Sequence, residues 1–377
     1  MRLGDLPTPQ VLIDRRRAMR NVERVQQLAS SAGLRLRPHA KTHKSPTVAA
    51  WQIDRGAVGI CCAKVGEAEV FVDAGIGDIR LPYPVNPSNA PRLIALMGRA
   101  SISIIVDHLD VARAWSDAMQ RAGRVLDVLI KVDVGFHRCG IDPESDALGF
   151  IQTVSGMAGL RLLGLLSHAG HGYHAASEAD LACVAQREAA TLTGLRDRAA
   201  GSGIALDEIS VGATPTLRFS VRQPGITELR PGNYVYFDRT QLALGAATLD
   251  DCALTVLATV VSKPAPDRII LDCGSKTLTN DLARGIAKAE GYGAVLAGAT
   301  DNGDRAREFD EALAVERLSE EHATVRVTGG TRLEPGDRVR LLPNHSCVVS
   351  NLVDVVRLVE GDEVVDTLPV AARGRIT

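Results

Sequence analysis

The feature that most restricts the fold is an alternation of short β-type runs with longer helical patterns between residues 34 and 238. The stretches between the runs, such as AKVGEAEVFVDAG, place apolar residues at i, i+3, i+4 and i+7, as a helix that covers a sheet does. A further helical pattern precedes the first run and ends at Gly33. The pattern predicts strands at residues 34–39, 57–63, 78–83, 101–107, 126–133, 160–168, 208–213 and 226–238.

Eight strands separated by helices predict an α/β fold, the (β/α)₈ TIM-type barrel. An open, doubly wound sheet has the same local pattern, and strand count alone does not exclude it. No G-x-G-x-x-G follows the first strand, which disfavours dinucleotide binding. Beyond residue 245 the β runs are separated by turns without comparable helices. We therefore expect a barrel at 1–240 and a mainly β C-terminal domain at 241–377, with residues 1–14 as a candidate addition to the β domain.

Composition limits the partners of the protein. A net charge of −2 and an aromatic content of 3% disfavour binding to nucleic acid or to an anionic membrane. No apolar run of membrane-spanning length and no signal peptide is apparent. Seven dispersed cysteines indicate reduced thiols in a cytoplasmic protein. Among the candidate packing and surface residues, Cys61 and Cys62 are expected in the barrel core, and Glu67 and Glu69 on a solvated helix face.

Polar clusters follow several of the predicted strands, at the end of a barrel where catalytic groups lie. Lys41 follows the first strand within RLRPHAKTHKSP, and His137 and Arg138 follow the fifth within VDVGFHRCG. SHAGHGYH (167–174) follows the sixth strand and contains three histidines and a tyrosine. By itself, Lys41 is compatible with a solvated charge, a phosphate contact or a nucleophilic amine.

Two further clusters predict a phosphate site. SVGATPT (210–216) and RPGNYVYFD (230–238) lie at strands seven and eight, whose loops commonly hold phosphate in this barrel. Small residues let backbone N–H groups approach an anion, and threonine hydroxyls add donors. Together with an amine after strand one and an arginine after strand five, this arrangement suggests a phosphorylated aldehyde cofactor bound to Lys41 as a Schiff base.

The motif set resembles the D-threonine aldolase and D-serine dehydratase-like family, which belongs to the alanine racemase-type (fold type III) pyridoxal-phosphate enzymes. The resemblance covers nearly the whole chain in order, through PHAKTHKSP, GAVGICCAKVGEAE, VDVGFHRCG, SHAGHGY, SVGATPT, RPGNYVYFD and PNHSC. It implies a barrel that binds pyridoxal 5'-phosphate, a following β domain and a head-to-tail homodimer.

The resemblance also implies individual roles. Lys41 is similar to the lysine that forms the Schiff base, Arg138 to the arginine at the phenolic oxygen, and His168 to the residue packed on the pyridine ring. Tyr173 and His174 lie in the loop where the family keeps polar groups near the reacting carbon, so Lys41, Tyr173 and His174 form the implied catalytic set. The implied cofactor-binding residues are Lys41, Arg138, His168, Tyr173, Gly212, Ala213, Thr214, Gly232 and Asn233.

A last motif, LLPNHSCVVSNL, contains His345 and Cys347. At a spacing of i, i+2 on a strand, their side chains would point to one face and could share a cation. Imidazole with sulfur suits zinc or a similar transition metal. The resemblance implies a divalent metal at this H-x-C motif, with manganese, zinc, magnesium and cobalt as candidates.

The resemblance implies a pyridoxal-phosphate-dependent lyase that acts on a D-β-hydroxy amino acid. The motif set favours D-threonine aldolase, which cleaves its substrate to glycine and an aldehyde. The alternative is a D-serine or 3-hydroxy-D-aspartate dehydratase, an ammonia-lyase, and the H-x-C motif does not decide between the two. An amino-acid racemase and a non-catalytic pyridoxal-phosphate carrier are less favoured.

Overall fold

The structure is a computed structural model that describes residues 1–287, 289–298 and 308–377. The chain forms two compact units. The barrel unit contains Arg24–Lys41, Pro46–Gly232 and Gly374–Thr377, and the β unit contains Met1–Glu23, Thr42–Ser45 and Asn233–Arg373.

The strands of the described residues are numbered in chain order. They are β1 (Gln10–Asp14), β2 (Arg35–Leu36), β3 (Ile60–Cys61), β4 (Asp78–Pro84), β5 (Ser101–Val106), β6 (Leu126–Lys131), β7 (Leu160–Leu166), β8 (Glu208–Val211), β9 (Glu228–Leu229), β10 (Leu254–Ala265), β11 (Arg268–Leu271), β12 (Ala294–Leu296), β13 (Phe309–Leu318), β14 (Ala323–Val327), β15 (Arg338–Leu342), β16 (Val355–Glu360) and β17 (Glu363–Pro369).

Helices alternate with strands β2 to β9 and are sparse afterwards, as the sequence predicts. In the described part of the chain, none combines the length and apolar character that a membrane span needs. They are α1 (Arg15–Ser31), α2 (Pro46–Asp54), α3 (Val65–Asp73), α4 (Ala90–Met97), α5 (Leu109–Arg121), α6 (Ala147–Ser155), α7 (Glu178–Gly201), α8 (Leu217–Ser220), α9 (Arg239–Ala243), α10 (Ser275–Leu278) and α11 (Ser346–Asn351).

The barrel unit is built on eight parallel strands in the order β2-β9-β8-β7-β6-β5-β4-β3. The two ends of this order meet through a parallel bridge between His39 and Cys61 and a hydrogen bond from Cys61 N to the Pro38 carbonyl (2.8 Å). The predicted (β/α)₈ barrel is therefore confirmed, and the open-sheet alternative is wrong. A closed barrel gathers the carboxyl ends of its strands at one end, where the predicted site residues follow β2, β6, β7, β8 and β9.

The eighth predicted strand is much shorter than expected. The sequence predicts a strand over 226–238, whereas β9 covers two residues and Asn233–Val235 forms a 3₁₀ helix. Pro231 has no N–H to donate to a sheet, which ends regular pairing at this point. The chain then turns into the segment whose side chains support the β unit.

The β unit contains a nine-stranded sheet in the order β11-β14-β13-β12-β15-β10-β1-β16-β17. The twelve-residue β10 also pairs with β11, so six of these strands form a closed ring. The N-terminal strand β1 lies between β10 and β16, antiparallel to the first and parallel to the second. Its buried Leu12 packs with Leu257 and Val359, which anchors the N-terminal residues in this sheet. The predicted β domain is thus confirmed in architecture.

Two expectations about side chains near β3 have different outcomes. Cys61 and Cys62 are buried, as predicted for barrel packing. Glu67 is not on a solvated face: it is 1% exposed, and its carboxylate accepts a hydrogen bond from the Ala63 N–H (2.6 Å). A carboxylate in the first turn of α3 stabilises unpaired backbone N–H groups and the positive end of the helix. Glu69 is partly exposed and pairs with Arg92.

A buried ion network crosses the interior of the barrel. The carboxylate of Glu228, on β9, accepts hydrogen bonds from Arg80 (2.6 Å), Arg37 (2.9 Å) and the hydroxyl of Ser210 (2.6 Å). Burial alone would raise the pKa of Glu228, but the guanidinium groups of Arg80 and Arg37 outweigh it and hold this pKa at about 2. The network therefore stabilises the barrel when Glu228 is ionised.

Replacing Glu228 with Gln should lower the apparent free energy of unfolding by about 3 kcal/mol, because two buried guanidinium groups lose the counter-charge that they share and keep only their second partners, Asp78 and Glu208. Since the folded pKa lies below the unfolded value of 4.5, this stabilisation is present above pH 4.5 and is lost as the pH falls towards 2. Urea denaturation at several pH values measures both effects. The exposed Glu144→Gln variant, which removes the same charge, is the control, and equal stability of the two variants would contradict the role of the network.

Candidate active site

Lys41 lies immediately beyond the first barrel strand. It belongs to the 3₁₀ helix Ala40–Thr42, is half-buried, and its backbone N–H contacts Nδ1 of His39 (3.3 Å). Lys41 follows β2 and His168 follows β7, so both residues lie at the carboxyl end of the barrel strands, and the charge of Lys41 is one of the causes that lower the pKa of His168. The structure thus brings the predicted amine and the predicted ring-packing histidine together.

His168 follows β7 and is held by a backbone carbonyl. Its Nδ1 lies 2.5 Å from the carbonyl oxygen of Gly212. A carbonyl only accepts hydrogen bonds, so Nδ1 carries the proton and Nε2 is left as an acceptor. Burial, followed by the charges of Lys41 and Lys131, lowers the pKa of His168 well below its usual value. The imidazole is therefore neutral and has a defined tautomer.

Arg138 lies in the loop that follows β6. The carboxylate of Asp133 organises this loop by accepting the backbone N–H groups of Gly135, Phe136 and His137, each at 3.0 Å. The guanidinium of Arg138 stacks over the ring of Phe136 (5.0 Å), while the side chain as a whole is exposed. The charge of Arg138 is the smallest of the causes that lower the pKa of His168.

Tyr173 and His174 end the 3₁₀ helix Gly170–His174 that follows β7. Tyr173 is half-buried and His174 is exposed. Gly170 begins this helix, and a Cβ there would approach the ring of Phe136 to 2.6 Å. Glycine therefore lets the loop after β7 pack against the loop that carries Arg138.

The segment after β8 has the features of an anion cradle. Gly212, Ala213 and Thr214 are buried, and no hydrogen-bond partner of the Thr214 hydroxyl is found in the described chain. A Cβ at Gly212 would meet Arg230 at 3.0 Å, so a side chain there would push the two segments apart by a few tenths of an ångström. Gly232, after β9, is also buried. A buried unsatisfied hydroxyl beside small residues fits a phosphate group.

Two buried polar residues near this end of the barrel were not predicted from the sequence. Lys131 is the last residue of β6, its amine has no hydrogen-bond partner among the described residues, and burial followed by the charge of Arg230 lowers its pKa to about 7. Glu188, on α7, accepts a hydrogen bond from Ser167 (2.6 Å), and burial raises its pKa. A lysine at the end of the apolar run LDVLIKVD was a usable signal, whereas Glu188 lies in a polar helical stretch that gives none.

The prediction that His345 and Cys347 lie on a strand is wrong, although their side chains do contact each other. His345 and Cys347 are not on a strand: β15 ends three residues before His345, and Cys347 belongs to α11. The backbone of His345 is extended (φ −146°, ψ 93°), which turns its imidazole towards the helix, where it is hydrogen-bonded to the side chain of Cys347. A residue that precedes a helix can therefore bind the same cation as a residue in the first turn of that helix.

Two polar groups lie beside the sulfur of Cys347. Its Sγ lies 3.1 Å from Oγ1 of Thr42 and 3.5 Å from Nδ2 of Asn233. Asn233, which the resemblance implies in the phosphate cradle, lies in the β unit, and its side-chain amide also donates to Ser346 Oγ (3.0 Å). Its side chain thus supports the histidine–cysteine pair.

Asp238 fixes the backbone of this pair and was not predicted. Its buried carboxylate accepts hydrogen bonds from Asn233 Nδ2 (2.6 Å), from the Ser346 N–H (2.9 Å) and from the Gln241 N–H (3.0 Å). One side chain therefore caps both α9 and α11. Burial raises the pKa of Asp238, and the charge of His345 opposes this shift.

His345 has a second acidic neighbour. Its Nδ1 lies 2.6 Å from Oδ2 of Asp281, and this carboxylate must be the acceptor. Burial disfavours a charged ring, but Cys347, Asp238 and Asp281 outweigh it and raise the pKa of His345 to about 10. Within the described ranges, no group of three or more His, Cys, Asp or Glu side chains is placed to hold a metal ion. The available donor set is a nitrogen–sulfur pair, whose chemistry suits zinc and related divalent cations.

Comparison with known proteins defines the class first. Residues 13–240 match the N-terminal domain of alanine racemase, and residues 253–359 match a serine dehydratase domain. The chain is 34% identical to a D-threonine aldolase of Arthrobacter, over 99% of this chain and 94% of that protein. It is 33% identical to the D-threo-3-hydroxyaspartate dehydratase of Delftia sp. strain HT23, over 96% of both chains, and 25% identical to the D-serine dehydratase of Dictyostelium discoideum, over 96% and 95%.

Solved structures agree with this class. Two mutants of D-threo-3-hydroxyaspartate dehydratase each superpose with a TM-score of 0.91 at 31% identity, covering 98% of this chain and 98% and 96% of theirs. One is a cysteine-to-alanine mutant in the metal-free form, and the other is a histidine-to-alanine mutant two positions away. The D-threonine aldolase of Filomicrobium marinum gives 0.88 at 29% identity, covering 100% and 97%.

The chain belongs to the alanine racemase-type family of pyridoxal-phosphate enzymes, in the group that contains D-threonine aldolases and D-serine dehydratases. The curated relatives described above are lyases, and the family implies pyridoxal phosphate as cofactor.

Proposed function

We propose that the protein is a lyase, dependent on pyridoxal phosphate and a divalent metal, that cleaves D-threonine to glycine and acetaldehyde. The observation that carries the cofactor assignment is the buried, unsatisfied hydroxyl of Thr214 beside Gly212, in a barrel whose first strand leads to Lys41. The aldolase of Arthrobacter, 34% identical over 99% of this chain, supports the choice of reaction.

The barrel unit would hold the cofactor through a small number of groups. The amine of Lys41 attaches it, the Thr214 hydroxyl and the backbone from Gly212 bind its phosphate, and His168 lies against its ring. Pyridoxal phosphate, when bound, supplies an electron sink for cleavage of a bond at the substrate's α-carbon. Because Nδ1 of His168 donates to a carbonyl, the ring presents a fixed orientation to this ligand.

His345 and Cys347 would hold the metal, which would act as a Lewis acid towards the β-hydroxyl of the substrate. A cation held there would lower the pKa of that hydroxyl and so favour loss of its proton. His174 is the proposed proton acceptor, with Tyr173 beside it, because both end the 3₁₀ helix at the strand ends. The bond electrons remain on the α-carbon, which regains a proton to give glycine, and the hydroxyl carbon leaves as acetaldehyde.

Elimination is the second candidate, as in a D-serine or 3-hydroxy-D-aspartate dehydratase. The histidine–cysteine pair favours it, because the dehydratase mutants of known structure carry substitutions of a histidine and a cysteine with the same spacing. In this reaction Lys41 would remove the α-proton, the β-hydroxyl would leave as hydroxide, and hydrolysis of the product would yield a 2-oxo acid and ammonia.

We also propose a cytoplasmic, head-to-tail homodimer that acts on a small D-β-hydroxy amino acid. This assembly rests on the family resemblance.

Product analysis should separate the two reactions. With D-threonine, pyridoxal phosphate and a divalent metal, we expect equal amounts of glycine and acetaldehyde, measured by chromatography and by reduction of the aldehyde with a coupled dehydrogenase. Formation of 2-oxobutanoate and ammonia would contradict cleavage and support elimination. D-Serine and 3-hydroxyaspartate, assayed in parallel, identify the preferred side chain.

Replacing Lys41 with Ala should remove the visible absorbance of the bound cofactor and the activity, because the attaching amine is lost. Lys131→Met is the informative comparison, since Lys131 is a second buried lysine with a lowered pKa. Borohydride reduction of the wild-type protein, followed by peptide mapping, should place the cofactor on Lys41. A label on Lys131 would refute the assignment.

Replacing His345 with Ala should remove the bound metal and at least 90% of the activity, because the imidazole that would hold the cation is lost, and it should leave the cofactor absorbance intact. A ten-fold loss of activity corresponds to about 1.4 kcal/mol of lost transition-state stabilisation. Metal content by mass spectrometry and cofactor absorbance measure the two outcomes separately. His322→Ala, at an exposed histidine of the β unit, is the control. Full metal content in the His345 variant would place the cation elsewhere.

A further inference from the structure

Asp281 is an acidic residue of the β unit with no role in the function described so far. Its Oδ2 lies 2.6 Å from Nδ1 of His345. Both side chains are less than half exposed, Asp281 at 47% and His345 at 41%. Because the carboxylate only accepts, Nδ1 of the imidazole carries the proton. The lone pair of Nε2 is then the one that can bind a cation.

The position of Asp281 is set by the backbone around it. Its carbonyl accepts a hydrogen bond from Asn344 Nδ2 (3.0 Å), and Asn344 directly precedes His345. Its N–H donates to Oγ1 of Thr279 (3.2 Å), a residue with φ +63° and ψ 160°. This backbone conformation is unfavourable for threonine and persists only where surrounding contacts impose it. The loop that carries Asp281 is therefore tied to the residue beside the candidate ligand.

The other candidate ligand is positioned independently of Asp281. Asp238 holds the Ser346 N–H, between the two ligands, and Thr42 and Asn233 contact the sulfur of Cys347. The remaining freedom in the pair is the rotation and the tautomer of the His345 ring. Besides the hydrogen bond to Cys347, the contact with Asp281 restricts both.

We propose that Asp281 is the positioning residue of the metal site, and that it orients His345 so that Nε2 faces the cation. This inference rests on the proposed function, because it needs a metal at His345 and Cys347. A carboxylate hydrogen-bonded to the far nitrogen of a ligating histidine fixes the ring and increases the basicity of the ligating nitrogen, and its removal typically lowers metal affinity about 10–100-fold.

Cobalt titration tests the proposal without using activity. Metal-depleted protein that retains its cofactor is titrated with Co²⁺, and the sulfur-to-cobalt charge-transfer absorbance gives the dissociation constant. We expect Asp281→Asn to weaken cobalt binding about 10–100-fold, with cofactor absorbance and thermal unfolding unchanged. Asp281→Glu, which keeps the carboxylate, should recover part of the affinity. Asp267→Asn, at an exposed aspartate of the same unit, should bind cobalt as the wild type does.

The outcomes separate this inference from the function on which it rests. If the wild type binds cobalt and His345→Ala does not, the metal site stands, and an Asp281→Asn affinity within two-fold of wild type overturns the positioning role alone. If the wild type gives no charge-transfer band, the metal site and the role of Asp281 both fail. Equal loss of affinity in the Asn and Glu variants also overturns the role, because it would mean that the carboxylate is not what matters.

Discussion

The barrel unit depends on the ionised carboxylate of Glu228. Three of its eight strands, β2, β3 and β9, contain only two residues each, so the backbone ladder is weakest where the barrel closes. Arg37 and Arg80 reach Glu228 from the regions of β2 and β4, and Ser210 reaches it from β8. Side-chain ion pairs thus supply the cross-links that longer strands would obtain from their backbones. The buried charges of this network are tolerated because each one contacts a group of opposite charge.

In both candidate sites a hydrogen bond from Nδ1 holds a histidine ring, but the pKa values of the two histidines shift in opposite directions. In both, Nδ1 donates to an oxygen atom, which fixes the orientation of the ring. The partner of His168 is a neutral carbonyl in the company of positive charges, so its pKa falls well below the usual value. The partner of His345 is a carboxylate, with a thiol and a second carboxylate nearby, and its pKa rises to about 10. A neutral ring suits packing on a cofactor. The acidic groups around His345 suit the binding of a cation.

Periodicity predicted the eight barrel strands because each apolar run ends at a glycine, proline or polar turn. It could not predict the local structure at His345 and Cys347, since SCVVSN is short and its valines are typical of strands. That helix forms because Asp238 accepts the N–H of Ser346, a contact between residues 108 positions apart. Glu67 and Glu188 were equally hidden, because the burial of a carboxylate depends on which N–H or hydroxyl lies opposite it. Long-range partners of single polar atoms leave no periodic trace in a sequence.

The donors around the sulfur have an evolutionary consequence. Thr42 Oγ1 and Asn233 Nδ2 both face position 347, and each can donate to an oxygen anion as readily as to a thiolate. An aspartate at this position would therefore find its hydrogen-bond donors already in place. Such a substitution would exchange a soft ligand for a hard one and shift the preferred cation from zinc towards manganese or magnesium. Thr42 and Asn233 would have to be retained in such a lineage, whichever of the two ligands occupies position 347.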